Sequence, residues 1–141
     1  MQNDLNGKVA LDGSVIIALA LNEANTSLLQ EKILNQEVTP FTTDLACTEL
    51  LYILCREKDW GTAFEKFLLL RDSQMIRIIG TKQLMRKAGR IKCRRGLALP
   101  DCFTLSLAKK YEAKAIFAKK EKELSKEMGE TPFDIDIAFL S

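Results

Sequence analysis

Three acids stand where a carboxylate needs an explanation. Asp12 follows the short apolar run Val9–Leu11, Glu49 lies within Ala46-Cys47-Thr48-Glu49-Leu50-Leu51, and Asp101 opens an apolar segment after Leu99-Pro100. Taken singly, each has an ordinary reading. Asp12 would cap a helix, Glu49 would reach water from a helix boundary, and Asp101 would answer a helix dipole. Taken together they suggest metal chemistry. A carboxylate among apolar neighbours is costly to desolvate without a partner, and several at one place repel unless a cation neutralises them. Hard ions such as Mg²⁺ and Mn²⁺ take oxygen ligands, Mg²⁺ through one or two carboxylates with water and phosphate. The chain has no histidine, which excludes Ser-His-Asp and Cys-His catalysis and every His-ligated zinc hydrolase. Carboxylates with hard metal ions are the remaining route to hydrolysis near neutral pH.

For these acids to meet, the elements must carry distant positions to one edge. Val9–Leu11 reads as a strand ending at Asp12-Gly13-Ser14, with Gly13 or Ser14 capping a helix over Val15–Leu21. Leu28, Leu29, Ile33 and Leu34 recur at helical spacing within Asn25–Gln36. Glu37–Phe41 leans towards strand, though Pro40 limits its pairing. Thr42, Thr43 or Asp44 caps a helix to about Glu57; Trp60-Gly61-Thr62 breaks the chain before a helix over Ala63–Leu70. Met75–Ile79 reads as a buried strand, and Thr81 caps a basic helix reaching Arg95 and stopped by Gly96. A helix over Asp101–Tyr111, a strand at Lys114–Ala118, a charged helix over Lys119–Met128 and a last strand at Asp134–Ile137 complete the series. Strands separated by helices predict right-handed βαβ units. The expected fold is α/β, a three-layer α/β/α sandwich with a central parallel sheet of four to five strands. Such open sheets place their sites at the carboxyl ends of the strands, where the chain order reverses. Asp12 would lie there.

The 141 residues suit one ordinary domain, and 47% hydrophobic with 28% charged residues argues against disorder. Twenty-one Lys and Arg against 19 Asp and Glu leave a net charge of +2, so there is no general cationic coat and any basic surface is local. The densest basic run is Arg86-Lys87-Ala88-Gly89-Arg90-Ile91-Lys92-Cys93-Arg94-Arg95, just before Asp101. Arg86, Lys87, Arg90, Lys92, Arg94 and Arg95 are candidate nucleic-acid phosphate contacts; the alternative is a solvated helix face. Lys109, Lys110, Lys119 and Lys120 are lesser candidates. The run holds no aromatic residue, so base stacking is not suggested. The four cysteines form no C-x-x-C pair and read as reduced, mostly buried residues. Met1–Lys8 is polar, without the apolar core of a signal peptide. Val15–Leu21 falls well short of the roughly 20 residues of a membrane span, so no membrane partner and a cytoplasmic location are expected. No Walker loop or G-x-G-x-x-G is present.

With those positions fixed, a family comes into view. Val9-Ala10-Leu11-Asp12-Gly13-Ser14 resembles the opening motif of PIN-domain nucleases, an apolar strand followed by Asp-x-Ser. Thr48-Glu49-Leu50 resembles the second acidic motif. Leu99-Pro100-Asp101-Cys102-Phe103, with Leu107-Ala108-Lys109-Lys110, resembles the third. Order and spacing agree from about Val9 to the C-terminus, and the Leu-Pro-Asp-Cys-Phe wording is similar to archaeal members of the VapC toxin type. The resemblance implies a single PIN-like domain over residues 1–141 that hydrolyses RNA phosphodiesters with Mg²⁺ or Mn²⁺. Asp12, Glu49 and Asp101 would hold the first ion, and Ser14 would steady Asp12 or a metal-bound water. It further implies a small antitoxin chain as partner and a homodimer.

The fourth acid departs from the pattern. The family places an Asp just after the next strand, in a Thr-x-Asp or Thr-Arg-Asn-x-x-Asp setting. Here Ala115-Ile116-Phe117-Ala118 is followed by Lys119-Lys120-Glu121-Lys122-Glu123. Glu121, and behind it Glu123, are the candidates for that place as catalytic or metal-binding groups. The alternative is a solvated helix with pairs such as Lys119–Glu123. This departure keeps a second function open: a catalytically weakened PIN-like module that binds RNA or a protein assembly. An aspartyl-phosphate enzyme of the haloacid dehalogenase type is disfavoured, because Ser14 stands where its second Asp is needed.

Overall fold

Short β-rich runs, too brief to stand alone, find their partners in one parallel sheet. The structure, a computed structural model, describes residues 5–140; Met1–Asp4, the start of the polar N-terminal segment, and Ser141 lie outside the described residues. Five strands, β1 (Gly7–Leu11), β2 (Val38–Thr43), β3 (Arg77–Ile79), β4 (Lys114–Phe117) and β5 (Ile137–Phe139), line up in the order β3-β2-β1-β4-β5. Every neighbouring pair is parallel. The helices between them are α1 (Gly13–Ala20), α2 (Ser27–Leu34), α3 (Asp44–Glu57), α4 (Trp60–Ser73), α5 (Met85–Arg94), α6 (Leu99–Tyr111) and α7 (Lys122–Glu130). This is the three-layer α/β/α sandwich that the alternation of strands and helices implies.

Side-chain alternation along each strand feeds two cores. Val9, Leu11 and Ile116 point to one face, where Val15 and Ile16 of α1, Leu29 of α2 and Leu50 and Leu54 of α3 close over them. Ala10, Ala115 and Phe117 point to the other, against Ala88 of α5, Leu105 of α6 and Leu124 of α7. Each fully buried large side chain contributes about 1.5–3 kcal/mol; Leu11 anchors β1, Ile116 β4 and Phe41 β2 in this way. The chain runs outward from β1 through β2 to β3, then returns to β4 on the other side of β1. That reversal opens a crevice beyond the carboxyl ends of β1 and β4.

Several boundaries differ from those expected. Pro40 sits inside β2 opposite Val9; the β2–β3 pairing begins only at Phe41, so the proline lies where β2 has one neighbour. The chain does not break at Trp60: Asp59 caps α4 by accepting from the Thr62 amide at 2.7 Å, and the helix runs to Ser73. Thr81 begins a 3-10 turn, Thr81–Gln83, and does not cap α5, whose N-cap is Leu84. The last helix starts at Lys122, not Lys119, so Lys119 precedes it and, among the described residues, makes no ion pair with Glu123. The final strand is Ile137–Phe139, later than Asp134–Ile137, because Phe139 packs beside Phe117. All four cysteines are free; Cys47 and Cys102 are buried, but Cys93 is exposed on α5.

Candidate metal centre

Asp12 is the first residue past β1, and its geometry shows why it does not turn away. It is 6% exposed and caps α1, a role that Gly13 and Ser14 do not take. Its Oδ2 accepts from the Ser14 amide at 3.1 Å and the Ser14 hydroxyl at 2.7 Å. Its Oδ1 accepts from the Thr104 hydroxyl at 2.7 Å, across from α6. Both carboxylate oxygens are thus aimed by fixed donors. The Ser14 Oγ in turn accepts from the Ala118 amide at 3.1 Å, tying the end of β4 to the same point.

Glu49 approaches from α3, one turn beyond the buried Ala46. Its carboxyl lies flat against the backbone of Gly13: a Cβ added there would stand 2.4 Å from Glu49 Oε1. Only glycine leaves that space. Burial raises the Glu49 carboxyl to about 7, helped by the charges of Asp12 and Asp101. Asp101, in the first turn of α6, is likewise raised to about 7 by burial, then by Asp12, Glu121 and Glu123. Glu121 is the N-cap of α7 and Glu123 lies in its first turn. Both are exposed.

The structure therefore brings Asp12, Glu49 and Asp101 to one edge of the sheet, with Glu121 and Glu123 beside Asp101. Among the described residues none of these five acids forms an ion pair. The N-termini of α1, α3 and α6 open onto the same edge, and their dipoles favour anions there. The donor set is all carboxylate oxygen, which fits a hard divalent cation and no soft one. The cage is not pre-closed: among the described residues no three acidic or cysteine side chains stand ready at ligating positions.

The PIN domain family model matches residues 9–126, which include all five acids. The chain belongs to the PIN domain family. No curated protein matches it by sequence. Among solved structures, VapBC2 from Rickettsia felis, bound to a promoter DNA fragment, is similar with a TM-score of 0.70 and 13% identity over 94% of this chain and 98% of that one. A toxin–antitoxin complex from Klebsiella pneumoniae gives 0.65 at 12% identity, covering 95% and 98% of the two chains. Mycobacterium tuberculosis VapC20, a sarcin–ricin loop cleaving toxin, gives 0.59 at 18% identity over 77% and 86%. At these identities the likeness is one of fold.

The basic run of this PIN domain divides once its contacts are seen. Arg86, Lys87, Arg90 and Arg94 are exposed along α5. Lys92 is exposed as well, but its ammonium donates to the Leu97 carbonyl at 2.6 Å. Arg95 is engaged within the fold. It pairs with Glu127 at 3.4 Å, donates to the Thr131 and Pro132 carbonyls, and covers the Phe133 ring at 3.8 Å. Among the described residues, no helix of the domain is long and apolar enough to cross a membrane.

Two site features escape the sequence: Thr104, and Gly13 as a surface for Glu49. Thr104→Val keeps the shape and deletes the hydroxyl that holds Asp12. It is expected to weaken Mn²⁺ binding about 10- to 100-fold, the cost of losing an outer-shell partner, with Thr104→Ser restoring it. Calorimetry that finds equal affinity in Thr104→Val would leave Thr104 a mere helix residue. Gly13→Ala should displace Glu49 rather than unfold α1, since Ala is the better helix former. A misplacement of that order costs about 100-fold in rate. Cleavage per folded molecule, compared with helical circular dichroism, separates this from simple unfolding; full activity would show that Glu49 is not needed where it stands.

Proposed function

We propose that this PIN domain, taken as one unit over residues 1–141, is a metal-dependent endoribonuclease of the VapC toxin kind. The observation that carries the reading is the set of unpaired acids around an immobilised Asp12 at the crevice between β1 and β4. Asp12, Glu49 and Asp101 would hold Mg²⁺ or Mn²⁺, with Glu121 ahead of Glu123 as the fourth acid because its charge weighs more on Asp101. A bound ion would supply a water of lowered pKa and a counter-charge for the phosphate under attack. The chain's own residues set the stage. Ser14 and Thr104 stop Asp12 rotating, Gly13 admits the Glu49 carboxyl, and the helix N-termini receive the scissile phosphate. Glu49 and Asp101 must lose their protons to bind the ion, so metal affinity rises with pH through about 7.

The cleaving activity of VapC20 and the toxin–antitoxin nature of the two other relatives support an RNA substrate and a small antitoxin partner. A homodimer and a cytoplasmic location belong to the same proposal. The test is incubation of the purified protein with structured RNA and Mg²⁺ or Mn²⁺. Cleavage that EDTA stops and added Mn²⁺ restores supports the reading. The exposed, unanchored Glu121 and Glu123 favour one rival, a weakened module that binds RNA without cutting it. Metal-independent RNA binding with no cleavage in either ion would establish that rival.

A further inference from the structure

The helix α5 carries a burden that no ion pair among the described residues relieves. Its ten residues include five cations and no acid. Arg86, Arg90 and Arg94 follow one another at i, i+4 and i+8, a spacing at which like charges repel. Arg86 and Lys87 also sit in the first turn, against the helix dipole. Among the described residues Arg86, Lys87, Arg90 and Arg94 make no ion pair. Gly89 weakens the middle of the helix, yet a Cβ there would meet nothing within 4 Å. Among the described residues no packing calls for that glycine.

Two adjoining clefts run beside this helix. One is lined by Lys87, Arg90, Arg94 and Lys109, the other by Arg86, Lys87, Arg90, Lys109 and Lys110. The single acid that lines them, Asp134, is already paired with Lys109. α5 and α6 run antiparallel: Ser106 of α6 bonds back to the Leu84 carbonyl, and Lys92 of α5 reaches Leu97 just before α6. The cations thus form a row along α6, from Lys109 and Lys110 at its C-terminal turn towards its Asp101 end. Lys109 and Asp101 are eight residues apart on one helix, or about 12 Å.

We propose that this α5–α6 face is a groove for the sugar–phosphate backbone of double-helical RNA, lying beside the acidic site and distinct from it. The proposal rests on the nuclease reading for its substrate. Backbone recognition is favoured because the one aromatic that lines the clefts, Phe133, already stacks with the Arg95 guanidinium at 3.8 Å. Without a stacking platform, splayed single-strand bases gain little, whereas a duplex is read through backbone and shape. A protein partner would want exposed apolar anchors, and none of the apolar residues lining either cleft is exposed. A duplex stem seated on this row would lead its adjoining loop towards Asp101.

The test measures binding in EDTA, where no cutting occurs, by fluorescence anisotropy of a labelled RNA hairpin and of an unstructured strand of equal length. The wild-type protein should prefer the hairpin. The combined variant Arg86→Gln, Arg90→Gln, Arg94→Gln should bind the hairpin more than about 10-fold less tightly. Its salt dependence should flatten by roughly 0.9 for each phosphate it no longer neutralises, while its melting temperature holds or rises as the helix repulsion is relieved. Equal hairpin affinity and slope in the variant, or equal wild-type binding of strand and hairpin, would overturn the proposal. So would unchanged RNA affinity with lost binding of an acidic polyglutamate peptide, which would hand the face to a protein. A parallel Mn²⁺ titration separates the two readings. Hairpin binding abolished with Mn²⁺ binding intact supports the groove alongside the metal site; hairpin binding abolished in a protein that never binds Mn²⁺ supports the groove and removes the nuclease.

Discussion

Asp12→Asn is expected to reduce RNA cleavage by about 1,000-fold, the upper end of what one preorganised electrostatic group supplies, with the fold retained. Asn caps a helix as well as Asp, so its remaining oxygen keeps the Ser14 amide. If the new amide nitrogen faces Thr104, that hydroxyl accepts instead of donating, and its proton turns to the Pro100 carbonyl 3.3 Å away. Every buried polar group then keeps a partner, and only the charge is gone. Glu49 and Asp101, relieved of one neighbour, should titrate nearer the usual carboxylate range. A single-turnover assay beside a thermal melt checks both halves. Wild-type cleavage in Asp12→Asn would remove Asp12 from the chemistry altogether.

Glu49→Gln is expected to lower cleavage by more than about 100-fold and, in metal-free protein at pH 8, to raise the melting temperature. The sign follows from the direction of the shift. Burial raises the Glu49 carboxyl from 4.5 to about 7, so between those values the folded state holds a proton that the unfolded state has lost. Stability then falls as pH rises through that window. Asp101 adds a loss of the same sign between 3.8 and about 7. Gln carries no charge to bury and escapes the Glu49 share, and the difference should vanish near pH 4. Melts in EDTA at pH 4 and pH 8 show this directly. A variant that unfolds at pH 8 while keeping its activity per folded molecule would make Glu49 a structural residue.

What is legible in the sequence follows from what each signal depends on. Asp12 and Asp101 sit at element starts, and an acid straight after an apolar strand or at the head of an apolar helix is visible from neighbours alone. Glu49 shows itself as a charge on an otherwise apolar stretch. Thr104 does not, because its role is a bond to a residue 92 positions away, and a threonine inside a Leu-rich helix looks like filler. Gly13 looks like turn chemistry; its real task, leaving room for a carboxyl from α3, is a tertiary contact. Arg95 and Arg94 are the same residue type side by side, yet one is consumed by Glu127 and Phe133 and the other faces outward. The late strand β5 is hard to place from sequence because Ile135 carries the same apolar signal as Ile137, and only pairing with β4 tells them apart.

The most direct measurement is a calorimetric titration of metal-free protein with Mn²⁺ at pH 8, repeated on Asp12→Asn and Asp101→Asn. The wild-type protein should bind Mn²⁺ and each variant should lose more than about 100-fold in affinity, as expected of carboxylates proposed to hold the ion itself. Equal Mn²⁺ affinity in all three proteins, or no binding in any, would contradict a metal centre at the carboxyl edge of β1.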